Sequence, residues 1–219
     1  MCGRYARFTD VHQMLSPLGV QWDGPDLLPN YNTAPGQQIL AVREQDGLRE
    51  AVQLRWGLIP FWAKDKSIGY RMINARAEGL ADKPAFRQPF SQQRCLIPAD
   101  GFYEWRHEGD RKQPYYIHRK DSQPMMFAGL WSRWGDQEII ESCAIITGEP
   151  NDLVAPIHNR MPVILDSADC DHWLKSDNRS LLERLLSPIP AHLLEAYPVS
   201  TAVNKPSQGG PGLIEPLRD

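Results

Sequence analysis

Short apolar runs dominate this chain, and most of them suit strands rather than helices. They fall at Gln38–Val42, Ala51–Trp56, Cys95–Pro98, Gly101–Trp105, Gln113–His118, Met125–Trp131, Glu138–Thr147 and Arg160–Leu165. Each is rich in Ile, Val, Tyr, Phe or Trp and is bounded by Gly, Pro, Asp or Asn, which favours extended backbone ended by turns. Phe102–Arg106 and Gln113–His118 flank His107-Glu108-Gly109-Asp110, a hairpin signal with a glycine in the loop. Helical patterns are fewer. Asp10–Leu15 reads as a short helix capped by Thr9 or Asp10, and Asp166–Leu174 opens on an Asp/Ser cap signal. Leu181, Leu182, Leu185 and Leu186 form the apolar stripe of a helix over Asn178–Leu186, which Pro188 and Pro190 end. Ala191–Ala196 is expected to add a turn or two, and Val199–Asp219, broken by Pro and Gly, is expected to lie as a loop over the core. Strands that follow one another directly predict an α+β fold with an antiparallel core, in one domain over residues 1–219.

Composition narrows the class. With 42% hydrophobic residues in 219, the chain can build a real core. No run approaches the roughly 18 uncharged apolar residues of a membrane span, and no apolar signal region opens the chain. Cys2, Cys95, Cys143 and Cys170 form no C-x-x-C pair, so structural zinc and a dithiol redox motif are poorly supported. The expected setting is the reducing cytosol. The net charge of −3 does not advertise nucleic-acid binding. A local cluster does exist: Arg55, Lys64, Lys66, Arg71 and Arg76 are opposed within their stretch by Asp65 alone.

Four polar clusters interrupt the apolar background. The first is Cys2-Gly3-Arg4. Loss of Met1 would give Cys2 a free α-amine beside its thiol, a pair no internal residue has. That amine titrates at about 7.7–8.0, so part of it is neutral in a cell, unlike a lysine at about 10.4. A neutral amine condenses with an aldehyde, and the thiol can then close a five-membered ring intramolecularly. In an extended chain Arg4 would stand beside Cys2, where it would lower the thiol pKa. The second cluster is Asn74-Ala75-Arg76, an amide and a phosphate-matching fork at strand spacing. In the third, Glu104 lies among the aromatics of Gly101–Trp105; facing inward, burial would raise its pKa into the range useful for proton transfer, and facing outward it is an ordinary hairpin charge. The fourth is His158-Asn159-Arg160, with a histidine suited to proton transfer near neutrality. No H-x-x-x-H or H-E-x-x-H pattern occurs, so no metal is expected. Trp56, Phe61 and Trp62 offer either core packing or a stacking surface for bases.

Together, MCGRY at 1–5, YNTAPGQ at 31–37, LRWGLIPFWAK at 54–64, INARAE at 73–78, RCLIPADGFYEW at 94–105, IHNRMPVIL at 157–165 and VSTAVNKPSQGGPGLIEP at 199–216 resemble the SOS response-associated peptidase (SRAP) family over nearly the whole chain. The resemblance implies a barrel-like β core and a groove for single-stranded DNA. It implies that Cys2 forms a thiazolidine crosslink with the ring-opened aldehyde of an abasic site, shielding the lesion, with associated lyase and self-processing activity. It gives catalytic roles to Cys2, Asn74, Glu104 and His158, and DNA contacts to Arg4, Pro35, Trp62, Arg76, Thr147 and Arg160. The expected partner is single-stranded DNA bearing abasic sites, bound by a monomer with no cofactor, no metal and no membrane. The competing reading is a Cys/His thiol hydrolase, with Cys2 as nucleophile and His158 as base; it needs a thiolate and no free amine.

Overall fold

The computed structural model describes residues 2–217. Thirteen strands and four α-helices are assigned among them. The strands are β1 (Tyr5–Arg7), β2 (Asn30–Thr33), β3 (Gln38–Gln45), β4 (Leu48–Trp56), β5 (Asn74–Arg76), β6 (Arg94–Ala99), β7 (Gly101–Glu108), β8 (Arg111–Arg119), β9 (Met125–Trp134), β10 (Ile140–Gly148), β11 (Met161–Pro162), β12 (Ile164–Leu165) and β13 (Leu194–Pro198). The helices are α1 (Val11–Leu15), α2 (Arg87–Gln92), α3 (Ser167–Lys175) and α4 (Arg179–Arg184).

One sheet runs β13-β8-β7-β1-β2. The other runs β11-β10-β4-β3-β6-β9-β12, and the pairing of β10 with β9 closes β10-β4-β3-β6-β9 into a five-stranded barrel. Closure removes the edges that an open sheet would expose. β10 meets β4 and β5 in parallel and its other partners antiparallel. The fold class is therefore the expected α+β with a mainly antiparallel, barrel-like core. One apolar cluster, including Tyr5, Trp56, Phe102, Phe127 and Ile145, packs inside the barrel and under the other sheet, with Cys2 a member of it. A second, around Leu96, Leu130, Phe90 and Trp173, lies beneath the helices. No helix among the described residues is long and apolar enough to cross a membrane.

Several elements differ from the sequence expectation. The hairpin turn is tighter: β7 runs on to Glu108 and β8 starts at Arg111, leaving Gly109 at φ 59° and Asp110 to reverse the chain. Ala191–Leu193 is a single 3-10 turn, and the chain then extends as β13 against β8, because Leu194 is needed in the core while Glu195 faces out. The Arg160–Leu165 run is two short strands interrupted at Val163, whose N–H bonds Ile146 O. The tail does lie over the core: Leu213 and Val203 pack on Ala6, Tyr103 and Tyr116, although residues 218 and 219 fall outside those described.

Buried Arg94 joins the helices to the barrel. Its guanidinium donates to the backbone carbonyls of Trp173, Phe90, Ser91 and Ser176 at 2.5, 2.8, 2.5 and 2.7 Å, at the C-terminal ends of α2 and α3. Those carbonyls have no further turn to bond within their helices, and a cation suits the negative end of a helix. Arg94→Met is expected to strand them and lower stability by on the order of 3 kcal/mol, as read by urea unfolding; a loss below about 0.5 kcal/mol, the size of an ordinary surface substitution, would contradict this role.

Candidate active site

The site forms where the two sheets meet. β1 pairs with β7 in the register Tyr5↔Phe102, and Tyr103 N–H donates to Arg4 O at 3.0 Å, so the segment before β1 runs alongside Glu104. From the barrel side, β10 aligns Ile145 with Asn74 and Thr147 with Arg76. β10 also pairs with β11 at Gly148↔Met161, which returns the loop bearing His158 and Arg160 to the same end. Sequence separations of 70 residues and more are thus closed by strand register rather than by local structure.

Asn74 Nδ2 donates to Cys2 O at 2.8 Å, fixing the first residue of the described chain. Glu104 is 2% exposed and lies close enough for its charge to act on the Cys2 thiol. His158 Nδ1 stands 3.9 Å from Glu104 Oε2. The four residues expected to act together therefore do converge. Glu104 faces inward because its neighbours in β7 are claimed by the opposite face: Tyr103 and Trp105 pack under the C-terminal segment, as strand alternation requires.

Burial sets the electrostatics. It pushes the Glu104 carboxyl up to about 7. It also pushes the Cys2 thiol well above its usual range, and the Glu104 charge adds to that. The expectation that Arg4 would lower the thiol pKa is overturned: the contact at the thiol is Arg4 O, 3.9 Å from Sγ, while the guanidinium donates to Asn32 Oδ1 at 2.7 Å and Val203 O at 2.9 Å. A buried, protonated thiol is a poor resting nucleophile for a Cys/His hydrolase. Burial lowers the His158 pKa, favouring the neutral ring. Its Nδ1 lies 3.0 Å from Arg160 N and 3.2 Å from Arg160 O, so the loop backbone orients the ring.

Several residues expected to contact DNA lie around this centre. Arg76, His158 and Arg160 line one open groove of about 780 Å³ with Glu149 and Asn159. Asn74 Oδ1, Thr147 Oγ1 and Arg160 Nε are buried with no hydrogen-bond partner among the described residues. Such atoms are costly to leave unpaired, and these three are open to a ligand's polar groups. Arg4, by contrast, is occupied with β2 and the tail.

Trp62 is 48% exposed, on a loop pinned at both ends. Leu58 N–H bonds Met72 O at 3.0 Å, Ile59 N–H bonds Ser142 Oγ at 2.8 Å, and Trp134 Nε1 bonds Ala63 O at 2.7 Å. The loop closes through two glycine backbones: a Cβ on Gly57 would lie 2.6 Å from Gly69 O, and Gly57 itself has φ 129°. The same loop exposes Phe61 and Tyr70, and the Tyr70 ring lies under Arg55, 4.9 Å from its guanidinium carbon, and beside the Pro35–Gly36 turn. Sequence reading took Phe61 only as part of a stacking run and passed over Tyr70. It also missed Glu78, which pairs with Arg160. The spacing Asn74, Arg76, Glu78, one face of an extended segment, was the available signal.

Comparison with known proteins places this geometry. The abasic site processing protein YoqW of Bacillus subtilis (strain 168) is 44% identical over 222 residues, covering 98% of this chain and 99% of that protein. The abasic site processing protein YedK of Escherichia coli (strain K12) is 32% identical over 229 residues, covering 99% and 100%. A crystal structure of a protein from Bacteroides thetaiotaomicron superposes with a TM-score of 0.90 at 30% identity, over 99% of this chain and 100% of that one. Residues 1–206 match the family described as SOS response associated peptidase. With the motifs, the barrel and the relatives in agreement, the chain belongs to the SOS response associated peptidase (SRAP) family.

Proposed function

We propose that this protein processes abasic sites in DNA by capturing them covalently, in single strands, through the α-amine and thiol of Cys2. The names of its curated relatives support the lesion. One observation carries the chemistry: an amide, a carboxyl and an imidazole gather around a cysteine whose surroundings oppose a resting thiolate. A thiol that must stay protonated until late suits a reaction that the neighbouring amine begins.

Loss of Met1 is the first requirement, by a general aminopeptidase or by the chain itself. The neutral amine then adds to the aldehyde carbon of the opened deoxyribose, and the adduct loses water to give an imine. The sulfur adds to the imine carbon, the thiol proton ends on nitrogen, and a thiazolidine results. No oxidant or reductant is consumed. Glu104, with a carboxyl near pH 7, takes the thiol proton and delivers it. Asn74 holds the Cys2 carbonyl and offers its open Oδ1 to the sugar. His158, kept neutral by burial, hydrogen-bonds a sugar hydroxyl. Arg76 and Arg160 meet phosphates, while Trp62 and Pro35 pack on flanking bases. The imine also acidifies the neighbouring sugar carbon, so strand cleavage competes until the ring closes. All four cysteines are free thiols, which suits a reducing cytosol.

Denaturing electrophoresis tests this reading. An oligonucleotide carrying an abasic site should migrate with the protein after boiling, and the same oligonucleotide with an intact base should not. Equal retention of both, or of neither, would reject it.

A further inference from the structure

Arg160, which lines the groove, is held in an ion pair with Glu78, a residue that the capture chemistry does not use. Arg160 Nη1 and Nη2 donate to Glu78 Oε1 and Oε2 at 2.7 and 2.8 Å, a two-point fork. Nη2 also bonds Thr147 O, so the guanidinium is anchored to β10. The two partners are unequally held: the Arg160 side chain is 14% exposed and the Glu78 side chain 56%. The arginine is fixed, and the carboxylate can swing into water. The edge of a guanidinium that matches a carboxylate is also the edge that matches a phosphate. Arg76 stands close enough for its charge to act on Glu78, so an anion in the Glu78 position would face two arginines.

We infer that Glu78 is an internal counter-ion that fills the Arg160 fork until a DNA backbone phosphate displaces it. It thereby acts as a specificity-determining residue: undamaged strands must compete with it, whereas a captured lesion is retained by its covalent bond. The inference rests on the single-strand reading above. In the wild type each phosphate gained at Arg160 frees a carboxylate, so the net charge neutralised there is small. Without the carboxylate, Arg160 meets the strand as an uncompensated cation.

The test is equilibrium binding of an intact fluorescent oligothymidylate, with no abasic site, across a salt series. Glu78→Gln is expected to bind several-fold tighter than wild type at low salt. Its log K against log salt should be steeper by about 0.7, one further phosphate contact to a single strand. Arg160→Gln added to Glu78→Gln should erase both gains. Glu78→Ala repeats the comparison, and thermal melts of every variant verify folding. Equal or weaker binding by folded Glu78→Gln, with an unchanged slope, would overturn the inference alone. If neither wild type nor variant binds the strand, and wild type forms no adduct with an abasic one, the single-strand reading falls and the inference with it.

Discussion

Cys2→Ser is expected to abolish the boiling-stable adduct with abasic single-stranded DNA while leaving strand cleavage intact or increased. The serine variant keeps the α-amine, so the imine still forms. Its hydroxyl is a far weaker nucleophile than sulfur, and the ring does not close. The lost step is one that proximity makes fast, since groups held this way react as if one were present at about 10⁵ M or more. No dissolved thiol replaces it. An imine that is not drained into the ring persists, hydrolyses or eliminates the neighbouring phosphate. Gel analysis would show free protein and cleaved strand where the wild type shows adduct; borohydride would restore a band by reducing the imine. Adduct formed by Cys2→Ser at the wild-type rate and equally stable to heat would remove sulfur from the mechanism.

The second large effect belongs to Glu104. Its carboxyl is raised to about 7 by burial, so it is mostly protonated below that pH and mostly ionised above it. Ring closure needs the ionised form to accept the thiol proton, because the Cys2 thiol is itself pushed up by burial. The single-turnover rate of adduct formation should therefore rise with pH through about 7, and continue to rise as the amine loses its proton near 7.7–8.0. Glu104→Gln keeps shape and burial but cannot accept a proton. It should slow ring closure by about 100-fold or more, and only the amine limb of the profile should survive. A rate that falls as pH rises through 7 in the wild type would make Glu104 an acid rather than a base. An unchanged rate in Glu104→Gln would remove it from the proton path.

Much of the barrel is visible in the chain. β3, β4, β6, β9 and β10 are long enough, and rich enough in branched and aromatic residues, for the pattern to show them. β1, β2 and β5 span three or four residues and carry no alternation of their own; partners far along the chain make them strands. β13 misleads because a proline and a 3-10 turn precede it, and its extension is decided by pairing with β8. At the site, residue types were legible and directions were not. The side that Glu104 faces depends on which side chains the C-terminal segment covers, some hundred residues later. Arg4 is drawn away from the thiol by Asn32 and by backbone carbonyls of that same segment. The Glu78–Arg160 pair spans 82 residues and follows only from register across β10. The proposed roles are those the family resemblance implies; the packing brings residues so far apart in sequence to one place.

Intact-mass analysis of purified protein, alone and after mixing with an abasic oligonucleotide, tests the central claim most directly. The protein alone should weigh one methionine residue less than the full 219-residue chain. The mixture should add a species heavier by the oligonucleotide less one water. A protein that keeps Met1 and still gains that adduct would contradict chemistry at the Cys2 amine, and a protein lacking Met1 that gains no mass would contradict capture itself.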